Sequence, residues 1–513
     1  MGSLYGMNLA LATMARDALN PRPNPPTPHP WGIATCTAPW PVAILGVPLD
    51  HVTTATAIQR IDAMIATRRP HYVVTANVDF LVQADRDVEL RRILLEADLV
   101  LCDGTPLLWA SRWLGNALPE RVAGSDLAPA LLQSAAAKGH RVFLLGAADG
   151  VAAAAAVRLA EQYPELNVVG HYAPPFSALL EMDHPEIVRR VQDAKPDLLL
   201  VSFGCPKQEK WIAMHHRSLG VPVAIGVGAT LDFLAGRIRR APAWMRKTGT
   251  EWLYRLSLEP KRLYRRYADD VRCFFPTLAR QWLWLDRRRA TGTGQPAIAT
   301  HPSEWRTVRA GAHLSHSSLE ADAAFWAGAQ TADAPCLVDL SGTRRIDATG
   351  VAFLSRWRKS LLDRGHHLVL LAPHRAVQRV LRSLKLTDHF LVVQDPTEAE
   401  RVVRTRFVRS TAQSQGQARS LAWSGEILAA NVELIWAMTK EQLDTFAGRG
   451  ATSVMIDLAQ LRFIDSSGAA LMLRVKRTSA ALGLQILFCR PQPNIRNVLR
   501  LTRLDQLLLE GGQ

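Results

Sequence analysis

The sequence predicts an α/β protein: a mostly parallel sheet with helices on its faces, then a basic helical C-terminal appendage, then two small α/β units. Three observations carry this. Between Val42 and about Ala241, apolar runs at 42–47, 72–75, 99–102, 142–145, 198–202 and 223–227 are separated by helix-length segments, the pattern of a parallel sheet. From Arg237 to Arg289, 15 Lys and Arg stand against five acids. Further on, the stretch from Asp339 to Gly350 recurs from Asp457 to Gly468, and the same offset of 118 carries Arg356 to Arg474, Gly365 to Gly483 and Pro373 to Pro491. One domain therefore occurs twice. On these grounds the first unit is read as Rossmann-like.

At 513 residues the chain exceeds one core, since domains average about 100–200 residues. A hydrophobic share of 48% with 21% charged residues describes a folded, soluble chain. The six cysteines, at 36, 102, 205, 273, 336 and 489, form no CxxC pair, which argues against a zinc site or a disulfide framework and fits a reducing cytoplasm. No apolar run approaches the roughly 18 residues of a spanning helix, and the start lacks a signal sequence. The net charge of +15 is the main clue to partners. The expected division is a Pro-rich disordered leader (1–40), the α/β domain (41–240), the basic membrane-associating appendage (241–289), a linker (290–303), and the two repeats (304–396 and 418–510).

The strand ends collect polar and glycine-rich turns in order: Thr75-Ala76-Asn77, Asp103-Gly104, the turn from Gly146 to Gly150, the run from Phe203 to Glu209, and the run from Gly226 to Asp232. Open α/β sheets bind ligands at this edge. Glycine lets a backbone approach phosphate, and the helix that follows favours negative charge, so a nucleotide-type ligand is expected. Arg121 and Asp126 flank Gly124 ahead of a helical run, a placement that brings a guanidinium and a helix N-terminus towards an anionic substrate. The simpler alternative makes Asp103 and Asp126 helix caps and leaves Arg121 solvated. Neither GxxxxGKS/T nor GxGxxG occurs, so ATPase and dehydrogenase readings lose their support. The triplet Asp85-Arg86-Asp87 could suggest a metal site, but residues two apart on a helix diverge, and it is read as solvated surface.

These ordered motifs, with Pro174-Pro175-Phe176, resemble the WecG/TagA/CpsF family of bacterial glycosyltransferases over residues 42 to about 267. The resemblance implies inverting transfer of a sugar, typically N-acetylmannosamine or a relative, from a UDP-sugar to a polyprenyl-diphosphate-linked sugar, with no metal or other cofactor. It makes Asp103 the general base and Thr75, Asn77, Arg121 and Gln208 active-site residues. It also links Asp232 to the nucleotide pocket and Arg255, Arg262 and Arg265 of the appendage to the diphosphate, while Gly146 and Gly228 are expected substrate-binding positions from the glycine turns at the strand ends. The chemistry asks for such a set: a carboxylate takes the acceptor's proton, and a cation stabilises charge growing on the leaving UDP. Thr75, Asn77 and Gln208 could equally be turn or cap residues.

Aromatics interleave the appendage, at Trp244, Trp252, Tyr254, Tyr264, Tyr267, Phe274, Phe275, Trp282 and Trp284, which suits a helix lying on an anionic membrane surface. Nucleic acid is the rival partner for such charge, and a merely solvated basic helix is the plainer alternative. The resemblance favours the membrane over nucleic acid, and places the chain in the cytoplasm, peripheral on the inner face of the cell membrane.

Each repeat resembles the STAS domain of anti-sigma-factor antagonists, a family phosphorylated on Ser or Thr beside a helix N-terminus. The second copy has Asp465-Ser466-Ser467-Gly468 and the first Asp347-Ala348-Thr349-Gly350, so the candidate acceptors are Thr349 and either Ser466 or Ser467, with Ser467 favoured by analogy, and a serine kinase or anti-sigma-like protein is the expected partner. The alternative is that these hydroxyls only cap helices. Homo-oligomerisation is left open. The whole reads as a glycosyltransferase of surface polysaccharide synthesis, scaffolded or regulated by its STAS pair. The alternative is a signalling protein whose transferase-like half only senses a UDP-sugar.

Overall fold

In a computed structural model of the chain, the described residues are 39–238, 240–242, 244–245, 250–258, 260–285, 295–299, 305–415 and 418–509. The proposed leader lies outside them apart from its last two residues.

The first unit runs β1 (Val42–Ile44), β2 (Val47–Leu49), α1 (Thr54–Thr67), β3 (His71–Ala76), α2 (Val78–Arg86), α3 (Val88–Glu96), β4 (Leu99–Cys102), α4 (Thr105–Trp113), α5 (Gly124–Lys138), β5 (Arg141–Gly146), α6 (Val151–Gln162), β6 (Asn167–Tyr172), α7 (His184–Ala194), β7 (Leu198–Ser202), α8 (Lys207–His215), β8 (Val223–Gly226) and α9 (Thr230–Leu234). Its six-stranded sheet has the order β4-β3-β8-β7-β5-β6, and every pair is parallel. Strands such as Leu198–Ser202 are buried along their whole length, as expected where helices cover both faces. From β3 the chain winds outward to β4, then crosses to β5 on the other side. The winding direction therefore reverses beside β3 and β8, and such a reversal opens a crevice at the carboxyl ends of the strands.

Two sequence expectations about this unit need correction. The run 42–47 is not a strand of the sheet. Leu45 and Gly46 have φ of 51° and 84°, so the chain turns there and β1 pairs antiparallel with β2 as a separate hairpin. The edge strand β6, Asn-Val-Val-Gly-His-Tyr, carried too short an apolar run to be seen, and it is only partly buried. Asp85 and Asp87 are not free surface either. Asp87 is buried, caps α3 by accepting from the N–H groups of Glu89 and Leu90, and pairs with Lys210 at 2.7 Å. Asp85 pairs with Arg91 at 3.2 Å and Lys385 at 2.8 Å.

The appendage forms α10 (Glu251–Leu258) and α11 (Pro260–Trp284). Proline at the first position of α11 suits a helix start. Phe274 and Leu278 are buried in the main core, and the Gln281 side chain accepts from Leu45 N–H and donates to Ala43 C=O, both at 2.7 Å.

The first repeat contains β9 (Ala297–Ala299), β10 (Arg306–Arg309), β11 (Cys336–Asp339), α12 (Ala348–Asp363), β12 (Leu368–Leu371), α13 (Arg375–Ser383) and β13 (Leu391–Val393). Its sheet runs β13-β12-β11-β10-β9, parallel except for β9. The second contains β14 (Arg409–Gln415), β15 (Ala418–Ile427), α14 (Val432–Gly448), β16 (Ser453–Ile464), α15 (Ser466–Ala481), β17 (Gln485–Cys489) and α16 (Pro493–Leu501). Its sheet runs β14-β15-β16-β17, with only the β14–β15 pair antiparallel.

The first repeat is not a bead on a linker. Its Phe353 meets Trp40 edge-on at 5.3 Å, and one continuous hydrophobic core joins the hairpin, one face of the main sheet, α11 and the inner side of α12. Arg356 on α12 donates to Pro48 C=O, Ala97 C=O and the Asp50 carboxylate. The opposite face of the main sheet is covered by α1, α5 and α6 in a core of its own.

Candidate active site

Four strand ends meet at the crevice. Thr75 closes β3, is buried, and its hydroxyl donates to Gly226 C=O at 3.3 Å, which ties β3 to β8 across the reversal point. Asn77 caps α2, its Oδ1 accepting from Phe80 N–H at 3.2 Å. Asp103 follows β4. Its N–H donates to Ala76 C=O at 2.8 Å, and the returning loop is pinned by Val122 N–H on Cys102 C=O at 2.8 Å. That return sets the start of α5 against Asp103, whose Oδ2 accepts from Gly124 N–H at 3.4 Å. Gly124 lies close to Thr75: a Cβ on it would stand 3.3 Å from Thr75 Oγ1, a tight contact. Thr75, Asp103 and the N-terminus of α5 are thus gathered in one place.

Asp103 therefore faces the start of a helix from another segment and does not cap its own. Asp126 is not the cap of α5 either. It joins an ion cluster in which Arg121 donates to Asp126 at 2.8 Å and to Glu251 at 3.2 Å, while Arg240 reaches Asp126 at 2.5 Å and Ser125 at 3.2 Å. Arg121 is only 17% exposed. Glu251 opens α10, so Arg121 fastens the appendage to the crevice. The sequence pointed to Arg121 and Asp126 by their spacing, but nothing local flagged Arg240 or Glu251 as their partners.

Gln208 is buried and ties two turns together. Its Oε1 accepts from the N–H groups of Gly204 and Gly228 at 3.2 and 3.1 Å, and its Nε2 donates to Glu209 at 2.7 Å. Both ends of the amide are occupied, so in this arrangement it shapes the turns after β7 and β8. Ser202 adds a bond to Gly228 C=O at 2.5 Å. Gly146 has φ 99°, and a Cβ there would meet Ser202 C=O at 2.6 Å; no side chain fits. Asp232 sits in the first turn of α9, where burial pushes its carboxyl up against the opposing effect of Arg237. Phe176 is fully exposed near Lys207, whose ammonium bonds Ser177 C=O at 2.6 Å and lies 5.4 Å from the Phe176 ring centre. Arg265 is exposed on α11, whereas the side chains of Arg255 and Arg262 lie outside the description. Among the described residues no group of three or more His, Cys, Asp or Glu converges as a metal site.

Glu209 is a feature the sequence did not announce. Burial pushes its carboxyl up to about 7 from an ordinary 4.5, with the Asp79 charge adding to the rise. Between those values the folded protein holds a proton that the unfolded chain has released, so stability falls as pH rises from about 4.5 to about 7 and levels beyond. The contribution is about 3 kcal/mol at most. Glu209→Gln is expected to flatten this slope. Thermal unfolding of parent and variant from about pH 5 to about pH 8 checks it, and equal slopes would count against it.

The profile of the "Glycosyl transferase WecG/TagA/CpsF family" matches residues 42–288. Over 226 residues the chain is 32% identical to the N-acetylglucosaminyldiphosphoundecaprenol N-acetyl-beta-D-mannosaminyltransferase of Staphylococcus aureus strain MRSA252, covering 44% of this chain and 87% of that one. The chain belongs to this glycosyltransferase family. The same-named protein of strain NCTC 8325 matches with the same identity and coverage. A "Mlab, STAS domain" profile matches residues 305–394 and a STAS profile residues 410–510, so the transferase carries two STAS domains. A solved structure of the anti-sigma factor antagonist SpoIIAA in its unphosphorylated form aligns with a TM-score of 0.18 at 22% identity, over 20% of this chain and 90% of that one.

Both STAS turns expected to carry phosphate face the transferase. Thr349 is fully buried and accepts from Asn116 Nδ2 at 3.1 Å. Ser466 is fully buried and Ser467 is 8% exposed. All three residues are enclosed in this arrangement.

Proposed function

We propose that this glycosyltransferase moves N-acetylmannosamine, or a close relative, from a UDP-sugar to a polyprenyl-diphosphate-linked sugar with inversion, at the inner surface of the membrane. The observation that carries the reading is the placement of Asp103: a carboxylate beside the reversal point of the sheet, aimed at a helix N-terminus. Asp103 takes the proton of the attacking hydroxyl. The α5 N-terminus and Arg121 supply the positive field that a departing diphosphate needs, without a metal. Thr75 and Gln208 hold the strand-end turns, and Asn77 stands at the rim. Asp232, Gly146 and Gly228 shape the nucleotide side, and Arg255, Arg262 and Arg265 close on the diphosphate from the appendage. The STAS pair serves as a scaffold. UDP release from a panel of UDP-sugars, with and without a lipid-diphosphate acceptor and with and without EDTA, tests this. Binding of a UDP-sugar with no release under any condition would favour the alternative of a sensor.

No described helix is long and apolar enough to cross a membrane. The basis for membrane contact is the outer side of α11, where Tyr264, Val271, Phe275 and Trp282 are exposed at the i, i+7, i+11 and i+18 positions of one stripe. Deleting everything after Ala241 would not test this cleanly, because Phe274, Leu278 and Gln281 on the inner side belong to the core. Replacing the four outward residues by Ser should weaken binding to anionic vesicles on the order of tenfold or more. Unchanged co-sedimentation would place the attachment elsewhere.

A further inference from the structure

The second STAS repeat meets the transferase through charges that are buried. Ser466, the first residue of α15, donates its N–H to Glu89 Oε1 at 2.5 Å and its hydroxyl to Glu89 Oε2 at 2.8 Å. Glu89 Oε2 also meets Lys210 Nζ at 2.8 Å, and Lys210 meets Asp87 at 2.7 Å. Glu89 and Ser466 are 2% exposed or less, and Lys210 and Asp87 are each 7%. A buried charge is tolerated only when its partners are in place. Within the transferase Glu89 has Lys210; the two Ser466 donors are added only with α15 seated, and the positive end of that helix adds to the attraction. A second contact sets the angle of approach: Arg92 pairs with Glu426 at 2.8 Å and lies 4.7 Å from the Phe463 ring centre.

The other end of this network reaches the crevice. Lys210 is two residues beyond Gln208 on α8, and Gln208 holds the Gly204 and Gly228 turns. Asp87 joins α2, which Asn77 begins, to α3. We propose that Lys210 and Glu89 are positioning residues of the transferase, and that the second STAS repeat completes them: by gripping Glu89, the Ser466 turn sets the helix that carries Gln208. The inference rests on the reading that Gln208 belongs to the active site.

Four full-length variants test it: Ser466→Ala, Ser466→Asp, the double variant Ser466→Asp/Glu89→Gln, and Gln208→Leu. Ser466→Asp sets a second carboxylate against Glu89, so kcat should fall about tenfold with KM for the UDP-sugar unchanged, and trypsin should cut faster near Arg404 and Arg409. Ser466→Ala keeps the N–H bond and should lose only about threefold. Adding Glu89→Gln, whose amide can donate to the new carboxylate, should return kcat to within about twofold of the parent. Parental kcat in Ser466→Asp overturns the proposal, and so does a loss that Glu89→Gln does not rescue. Parental kcat in Gln208→Leu would instead remove Gln208 from the site, a separate result from either.

Discussion

Asp103→Asn is expected to lower turnover by on the order of 10²-fold or more while UDP still binds. The amide is nearly isosteric, and its oxygen can go on accepting from Gly124 N–H, the bond that Asp103 Oδ2 makes at 3.4 Å. The loop from β4 to α5 therefore keeps this tie, and the variant loses the negative charge and with it the capacity to take a proton. Steady-state UDP release gives the rate and calorimetric titration with UDP gives the binding. Near-parental turnover would remove Asp103 as the base and turn attention to another strand-end carboxylate, Asp232. Loss of UDP binding together with turnover would mean that the carboxylate holds the site open.

The second large effect concerns stability. Arg356→Met breaks the ion pair that buried Asp50 makes at 2.6 Å, leaving Arg60 as a cationic neighbour of that carboxylate, and also strips donors from Pro48 and Ala97. Breaking a buried pair from one side costs about 3–5 kcal/mol. Because α12 shares its core with the hairpin and α11, the loss should appear in the unfolding of the transferase domain as well as of the first STAS domain, as one shifted transition. Combining Arg356→Met with Asp50→Asn should recover part of it, since the buried carboxylate that lost its ion pair is then neutral. A first STAS domain that melts alone, with the transferase transition unmoved, would show that the shared core does not couple them.

What could be read from the sequence was local. The strand ends were legible because each apolar run stops at a turn of Gly, Asn or Asp, and those residues are chosen by backbone geometry within a few positions. The duplication was legible from one offset. The hairpin was hidden by a single turn at Leu45 and Gly46 inside an apolar run that looks continuous. Arg121 and Asp126 stood out because they flank Gly124, but the sequence aimed Arg121 at a substrate and not at Asp126, its partner five positions on. The pairing of Arg121 with Glu251 spans 130 positions, and no local pattern encodes it. The same limit governs the STAS turns. The burial of these turns involves Asn116, 233 positions from Thr349, and Glu89, 377 positions from Ser466. Glu209 was visible as a letter beside Gln208, but its proton is a property of burial, which depends on the completed fold.

The hairpin imposes an order on synthesis. Pro48 is made early, and the guanidinium that caps it belongs to a residue 308 positions later. At about 5–20 residues per second, that interval is on the order of 15–60 s on the ribosome. By the time α12 emerges every strand of the main sheet has been made, and until then the side of the hairpin that meets Arg356 is without that cover. Complete burial of the hairpin therefore waits for translation of the first STAS domain. A nascent chain stalled before α12 is expected to expose that side of the hairpin, which limited proteolysis would detect.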